Sequence, residues 1–553
     1  MSDLRTFGSY AEAASGFTWD IPSRYNAVSE VASHRDRPRA AVRSAAADGT
    51  VDGATFGELT ERAGRLAATL AELGAGHGTD VAIMLPSTVA CAVAELAVLW
   101  TGATVAPLRD HPEDDALRHE LALVRPAIVI CPGEQVDRLR AALAPRDAIF
   151  LTAGAPHPSA ATSVEAALAR DVAAPPIAET APDDPAIIAF TSGSTGAPKA
   201  VVMPHRSIIG MRPTFQMITS AGPADDEVVF NSLGWATPAG LRPIVMPAWH
   251  FGCTVVAPER PPDLAGYCEV ITSERVTFAY LMPNVLRELR QLGDAIGDYD
   301  WSALRTITYA GEAIGPTLHA WLEESLGAQV NGYYGATEVG LPAATNAKWF
   351  ATPVGSIGRR VPGRGLAVLD EHALTPVPAG HAGILSVDRT DPTVFLGYRG
   401  LDSDELGVPD DAATATHFMT NDIGTVDADG LVTFIGRRGQ VLYGRGGAGI
   451  PPTDVEDLAL GCDGVREAAA LQIDDALVVG VTPADGADAA AIAPAVAAAI
   501  AARFGDDLPL TRLIALDAMP TTVGTRKVNR EALRRLIREH RDTLVAVEIA
   551  DPA

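Results

Sequence analysis

Nine consecutive residues carry the densest chemistry in this sequence: Thr191-Ser192-Gly193-Ser194-Thr195-Gly196-Ala197-Pro198-Lys199. They follow an apolar run, Ala186–Phe190, that reads as a buried strand. Gly193 and Gly196 let backbone N–H groups approach a polyphosphate, the Ser and Thr hydroxyls add donors, and Lys199 adds positive charge. The G-x-x-x-x-G-K-[ST] pattern cannot be placed on these residues, so the predicted phosphate cradle is of another kind.

The elements that must position this turn are legible as an alternation. Strands are predicted at Asp80–Leu85, Thr104–Leu108 and Ala127–Cys131, with helices at Val89–Trp100, Asp114–Val124 and Gln135–Leu143. Such alternation is the signature of βαβ units around a largely parallel sheet. Ala173–Pro185 reads as a surface connection. A second alternating region follows to about Gly340, with strands at Ala186–Phe190, Glu227–Phe230, Thr254–Ala257 and Thr306–Tyr309. From about 350 to 435 the pattern turns to short β-rich stretches. Gly439–Ile450 is glycine-dense and reads as a hinge or mobile loop. The last part reads as a small α+β domain, with a strand at Val478–Val481, an Ala-rich helix at Ala489–Phe504 and a basic helix at Arg530–His540.

Composition narrows the class of function. Of 553 residues, 47% are hydrophobic and 20% charged, enough for large cores and against a disordered chain. Forty-three basic and 69 acidic side chains leave a net charge of −26, which argues against nucleic acid and anionic membrane as partners. The five cysteines form no C-x-x-C pair and read as reduced, mostly buried thiols. The N-terminus lacks a signal-peptide pattern, Val81–Leu108 is too interrupted for a membrane span, and Ala489–Phe504 reads as a packed helix. The expectation is a soluble cytoplasmic protein.

Motifs beyond the turn give a resemblance. Trp100–Leu108 (WTGATVAPL), Tyr309-Ala310-Gly311-Glu312-Ala313, Asn331-Gly332-Tyr333-Tyr334-Gly335-Ala336-Thr337-Glu338, Ala382–Tyr398, Asn421-Asp422, Gly436-Arg437 and Lys527 stand in one order. With the turn at 191–199, they resemble the adenylate-forming enzymes: acyl-CoA synthetases, adenylation domains of peptide synthetases, and beetle luciferases. The resemblance implies an α/β fold. Residues 1–438 would form a large N-terminal domain of βαβ subdomains plus a β-rich subdomain, and 439–553 a small mobile α+β domain.

It also implies a reaction in two steps. A carboxylate attacks the α-phosphate of ATP, giving an acyl-adenylate and pyrophosphate, and a thiol then displaces AMP. ATP, Mg²⁺ and coenzyme A are the implied cofactors. By resemblance, Thr191, Ser192, Gly193, Ser194, Thr195, Gly196 and Lys199 would cradle the β- and γ-phosphates. Tyr334 would stack on adenine, with Gly311, Glu312, Ala313 and Gly335 about the base. Thr337 would meet the α-phosphate, Glu338 and Thr195 would serve Mg²⁺, and Asp422 and Arg437 would hold the ribose. Lys527 would reach the carboxylate and α-phosphate during adenylation. Asn231, Trp235 and Gly332 would line the acyl pocket, Trp235 being otherwise a plain core aromatic. Gly446 and Gly447 would flank the pantetheine of CoA, and Gly439 would be the hinge. An Asp that holds an amino-acid ammonium is expected near Phe230-Asn231-Ser232 in amino-acid-activating domains, and none stands there.

The departures from the pattern concern the C-terminal part and its hinge. Gly439 replaces an Asp or Lys, Leu442–Ile450 carries an extra residue, Arg526-Lys527 replaces a Gly-Lys pair, and Asn421 stands where Gly commonly precedes the ribose Asp. The principal expectation is a CoA ligase with both steps. Three alternatives stand beside it: a thioester-forming half-enzyme fed by an adenylating partner, a ligase that loads the phosphopantetheine of a carrier protein, and a non-catalytic nucleotide- or acyl-binding protein. The acid and the oligomeric state are not specified by the sequence.

Overall fold

The computed structural model describes residues 3–109, 113–192, 198–220, 222–311, 314–353, 356–400, 406–408, 414–445, 449–473, 476–484, 486–521, 528–540 and 546–548. The chain forms two compact units, one of residues 1–366 and 387–419, the other of residues 367–386 and 420–553. Gly439 therefore lies inside the second unit.

The first unit contains two large sheets. In one, Ile149–Ala153, Ile128–Pro132, Asp80–Ile83, Thr104–Pro107 and Pro185–Ser192 lie side by side and parallel. The two central strands, Asp80–Ile83 and Thr104–Pro107, are buried at every position, as strands covered on both faces are. The helix Val89–Trp100 between them has its N-cap at Thr88, whose hydroxyl accepts from the Cys91 N–H, and it too is buried nearly throughout. Pro185–Ser192 then turns back as the antiparallel strand Pro198–Pro204.

The second sheet has a parallel centre of Ala40–Ala45, Thr254–Pro258, Val228–Asn231, Phe278–Tyr280, Thr306–Ala310 and Gln329–Ala336. Gly340–Ala344 and Ser356–Arg360 extend it antiparallel. A cluster containing Phe230, Val256, Ile271, Leu286, Ile307 and Leu322 packs helices onto this sheet.

In the second unit residues 422–426 pair antiparallel with residues 432–437. A separate four-stranded sheet, with Val465–Ile473, Ala476–Pro483, Leu510–Ala515 and Ala546–Glu548 in that order, carries the helices Pro452–Leu460, Ala489–Phe504 and Arg530–Glu539. Ala489–Phe504 begins the one helical stretch among the described residues long and apolar enough to cross a membrane. It buries Ala489, Ile492, Ala493, Val496 and Ile500, a single helical face packed into the core of this unit. All five cysteines are free, four buried and Cys462 partly exposed.

The elements predicted from the pattern are present, most with ends moved by one or two residues. Two differences have physical causes. The predicted helix Gln135–Leu143 begins as a 3₁₀ turn at Gly133–Gln135, and its α part starts at Val136. Leu241–Val245 forms a π-helical turn between Pro238–Gly240 and Met246–His250, an irregularity for which side-chain periodicity gives no signal.

Candidate functional site

The hairpin of Pro185–Ser192 and Pro198–Pro204 sets Thr191 opposite Lys199 and Ser192 opposite Pro198. The cradle residues Gly193, Ser194, Thr195 and Gly196, between these strands, lie outside the described residues. The outer strand has a further partner, Gly397–Arg399, with Tyr398 opposite Val201. As a result the Lys199 ammonium lies 5.0 Å from the centroid of the Tyr398 ring, within cation–π range.

Tyr334, Gly335, Thr337 and Glu338 come from the second sheet. Gln329–Ala336 runs parallel to Thr306–Ala310 with Tyr309 opposite Gly332 and Ala310 opposite Tyr333. Gly311 and Tyr334 thus belong to the carboxyl ends of neighbouring parallel strands, where α/β sheets gather their ligands. A Cβ on Gly332 would meet the Tyr309 ring at 3.0 Å. One on Gly335 would stand 1.9 Å from the carbonyl oxygen of Gly340, so only glycine permits the chain to fold back here. Tyr334 is largely buried. Thr337 and Glu338 occupy the turn before Gly340–Ala344, both half-buried.

This turn is braced from three sides. The Tyr398 hydroxyl donates to the Glu338 carboxylate at 2.8 Å. The Phe395 N–H donates to the Glu338 carbonyl at 2.8 Å. Arg242, on the π-helical turn, donates through Nη2 to the Thr337 carbonyl at 2.9 Å. Arg242 is buried, and its Nη1 has no hydrogen-bond partner among the described residues. Burial lowers its guanidinium to about 9; the charge of Arg364 acts in the same direction and that of Glu338 opposes it. Behind the turn, Arg364 forms a fully buried ion pair with Asp391 at 2.7 Å and donates to the carbonyls of Val339 and Leu341.

The residues expected around the acid are more tightly packed. Asn231 is fully buried, donating to the Gly234 carbonyl and accepting from the Leu233 N–H. Trp235 is also fully buried and donates to the Thr88 carbonyl at 2.8 Å. Both therefore place their polar atoms on backbone, as packed core groups do. Beside them Tyr280 and Tyr333 stack at 5.9 Å. Burial pushes Tyr280 up to about 12 and Tyr333 well above its ordinary value of 10, so both phenols are neutral at physiological pH.

In the second unit the antiparallel ladder sets Asp422 directly opposite Arg437. Arg437 Nε lies 2.9 Å from Asp422 Oδ1, an ion contact without hydrogen-bond alignment. Asp422 is buried and Arg437 exposed. Gly439 has φ +77° and its carbonyl accepts from Arg534 Nη2 at 3.1 Å. Glu312, Ala313, Gly446, Gly447 and Lys527 lie outside the described residues.

Sequence reasoning thus assigned Lys199 and Glu338 but gave no role to Tyr398, the side chain that touches both. Its signal was its place at the end of the Ala382–Tyr398 motif. Arg242, Arg364 and Asp391 were not singled out, since an isolated charge has no pattern. Among the described residues no three His, Cys, Asp or Glu side chains gather as a metal cage. A single carboxylate of Glu338 fits Mg²⁺, which keeps water and substrate phosphate as its other ligands.

Comparison with known proteins gives the class. The model of the AMP-binding enzyme family matches residues 30–399, and the chain belongs to that family of adenylate-forming enzymes. It is 30% identical to a sulfoacetate–CoA ligase of Cupriavidus necator over 432 residues, covering 76% of this chain and 80% of that protein. It is 32% identical over 408 residues to the phosphinothricin tripeptide synthetase PhsC of Streptomyces viridochromogenes, covering 71% of this chain and 34% of that longer protein. Its fold matches the ATP-bound crystal structure of MatB from Rhodopseudomonas palustris with a TM-score of 0.79, at 22% identity over 93% of this chain and 99% of that one.

Proposed function

We propose that this protein is an acid–thiol ligase that uses ATP and Mg²⁺ to activate a carboxylic acid and passes the acyl group to coenzyme A. The observation that carries the reading is the meeting of two distant motifs through one side chain, with Lys199 over the Tyr398 ring and Glu338 accepting its hydroxyl. A cation on the glycine-rich hairpin and a hard carboxylate on the Tyr334–Glu338 turn are what a polyphosphate with its metal requires. The CoA ligase named above, matched over most of both chains, supports CoA as the thiol.

In the first step a carboxylate oxygen bonds to the α-phosphorus of ATP and pyrophosphate leaves. In the second the thiol sulfur bonds to the acyl carbon, the bond to AMP breaks, and the thiol proton is lost. Ordinary carboxylates are poor electrophiles, and AMP makes the carbonyl reactive. Mg²⁺, when bound, supplies charge neutralisation. On this reading Thr191, Ser192, Gly193, Ser194, Thr195, Gly196 and Lys199 hold the terminal phosphates, and Thr337 orients the α-phosphate. Gly311, Glu312, Ala313, Tyr334 and Gly335 form the adenine site, and Asp422 and Arg437 hold the ribose. Lys527 serves adenylation, and Gly439 with residues 439–553 provides the motion between steps. Asn231, Trp235 and Gly332 are assigned to the surroundings of the acyl group, and Gly446 and Gly447 to the CoA channel.

The similarity to a peptide synthetase favours one second reading, transfer to a carrier-bound phosphopantetheine. The test offers a panel of acids, each free with ATP and Mg²⁺ or as its preformed adenylate, to CoA and to a phosphopantetheinylated carrier. Acyl-CoA from the free acid is the expected product. Acyl-carrier alone would replace CoA as acceptor, and product from the adenylate alone would leave only the second step. Thioester from neither form would overturn the ligase reading.

A further inference from the structure

We propose that Tyr398 is a positioning residue that sets Glu338 for the metal and Lys199 for the phosphates as one unit. The inference rests on the ligase reading above. Tyr398 uses both parts of its side chain: its ring carries the Lys199 ammonium at 5.0 Å, and its hydroxyl donates to Glu338 at 2.8 Å. The segment before it fixes the same turn, because the Phe395 N–H bonds the Glu338 carbonyl and the Phe395 ring packs edge-on to Tyr398 at 4.9 Å.

The strand Gly397–Arg399 meanwhile pairs with the strand that bears Lys199, with Arg399 opposite Ala200. Backbone pairing and side-chain contacts therefore join the hairpin to the turn. A carboxylate has two oxygens and about four acceptor sites. One bond from Tyr398 orients the group and leaves acceptor capacity for a cation. Partners that orient a metal-binding carboxylate this way commonly govern its affinity by about 10–100-fold.

The test is Mn²⁺ binding in the presence of ATP, followed by electron paramagnetic resonance of free Mn²⁺, for the full chain and its Tyr398→Phe, Tyr398→Leu and Glu338→Gln variants. Tyr398→Phe retains the ring and is expected to weaken Mn²⁺ binding about tenfold. Its ATP affinity measured in EDTA should remain within about twofold of the parent, because the cation–π contact survives. Tyr398→Leu should weaken both. In the Glu338→Gln background the hydroxyl deletion should have little further effect on Mn²⁺, since the group it orients is gone. Equal Mn²⁺ affinity of parent and Tyr398→Phe, or an undiminished effect in Glu338→Gln, overturns the proposal alone. A parent that binds no Mn²⁺ with ATP overturns the ligase reading and this inference together.

Discussion

Replacing Glu95 by glutamine should change how stability depends on pH. Glu95 is fully buried on the helix Val89–Trp100, and neither carboxyl oxygen has a hydrogen-bond partner among the described residues. Burial alone pushes its carboxyl well above the ordinary value of 4.5. The folded protein therefore holds a proton that the unfolded chain releases. A raised pKa leaves stability unaffected below the unfolded value and erodes it as pH rises above that value. The slope is at most about 1.4 kcal/mol per pH unit, reached where the folded carboxyl is protonated and the unfolded one is not.

Glutamine has the same shape and no titration. Its buried amide carries its own cost of about 1–3 kcal/mol, but that cost does not vary with pH. The diagnostic is the slope, not the sign at one pH. Urea unfolding of the parent and Glu95→Gln from pH 5 to 8 should show the gap moving in favour of the variant as pH rises, at no more than about 1.4 kcal/mol per unit, the slope of one proton released on unfolding. Glu95→Met, which removes the polar atoms, should show the same slope from a more stable baseline. A gap that stays constant over this range would refute the reasoning, because it would mean that Glu95 ionises in the fold as readily as outside it.

Three further outcomes are expected. Asp391→Leu should destabilise the first unit by about 3–5 kcal/mol, because it strands the buried guanidinium of Arg364, and adding Arg364→Met should recover much of the loss in urea midpoint. His205 is buried with neither ring nitrogen hydrogen-bonded among the described residues, and burial lowers it from 6.5 to about 4. Its depressed pKa means that stability is full above 6.5 and is lost as pH falls toward 4, by about 3 kcal/mol, a slope that His205→Leu should lack in acid titrations of unfolding. Lys527→Ala should slow pyrophosphate release from free acid and ATP by about 10²–10³-fold while leaving thioester formation from preformed adenylate nearly intact; equal loss in both would remove Lys527 from the first step.

Much of the framework was local enough to read in the sequence. Val89–Trp100 and Asp114–Val124 have the residue bounds expected from their pattern, because caps, strand punctuation and apolar periodicity lie within the segment itself. Motif order identified the family for the same reason: glycines and acids that the backbone needs at fixed spacing stay adjacent along the chain. Gly335 shows the link, since a side chain there would strike the carbonyl of Gly340.

The tertiary structure decided what spacing cannot encode. It joined Ala40–Ala45 to Thr254–Pro258 across more than two hundred residues, although the intervening chain builds another sheet. It set Asp422 against Arg437 by ladder register. It gave Asn231 and Trp235 backbone partners in the core, and it brought Tyr398 between Lys199 and Glu338. Sequence fixes which groups the chain can offer within a few residues of one another. Which distant groups then share a carboxylate, a ring or a buried charge depends on strand order and close packing, and these are satisfied only when the whole chain is in place.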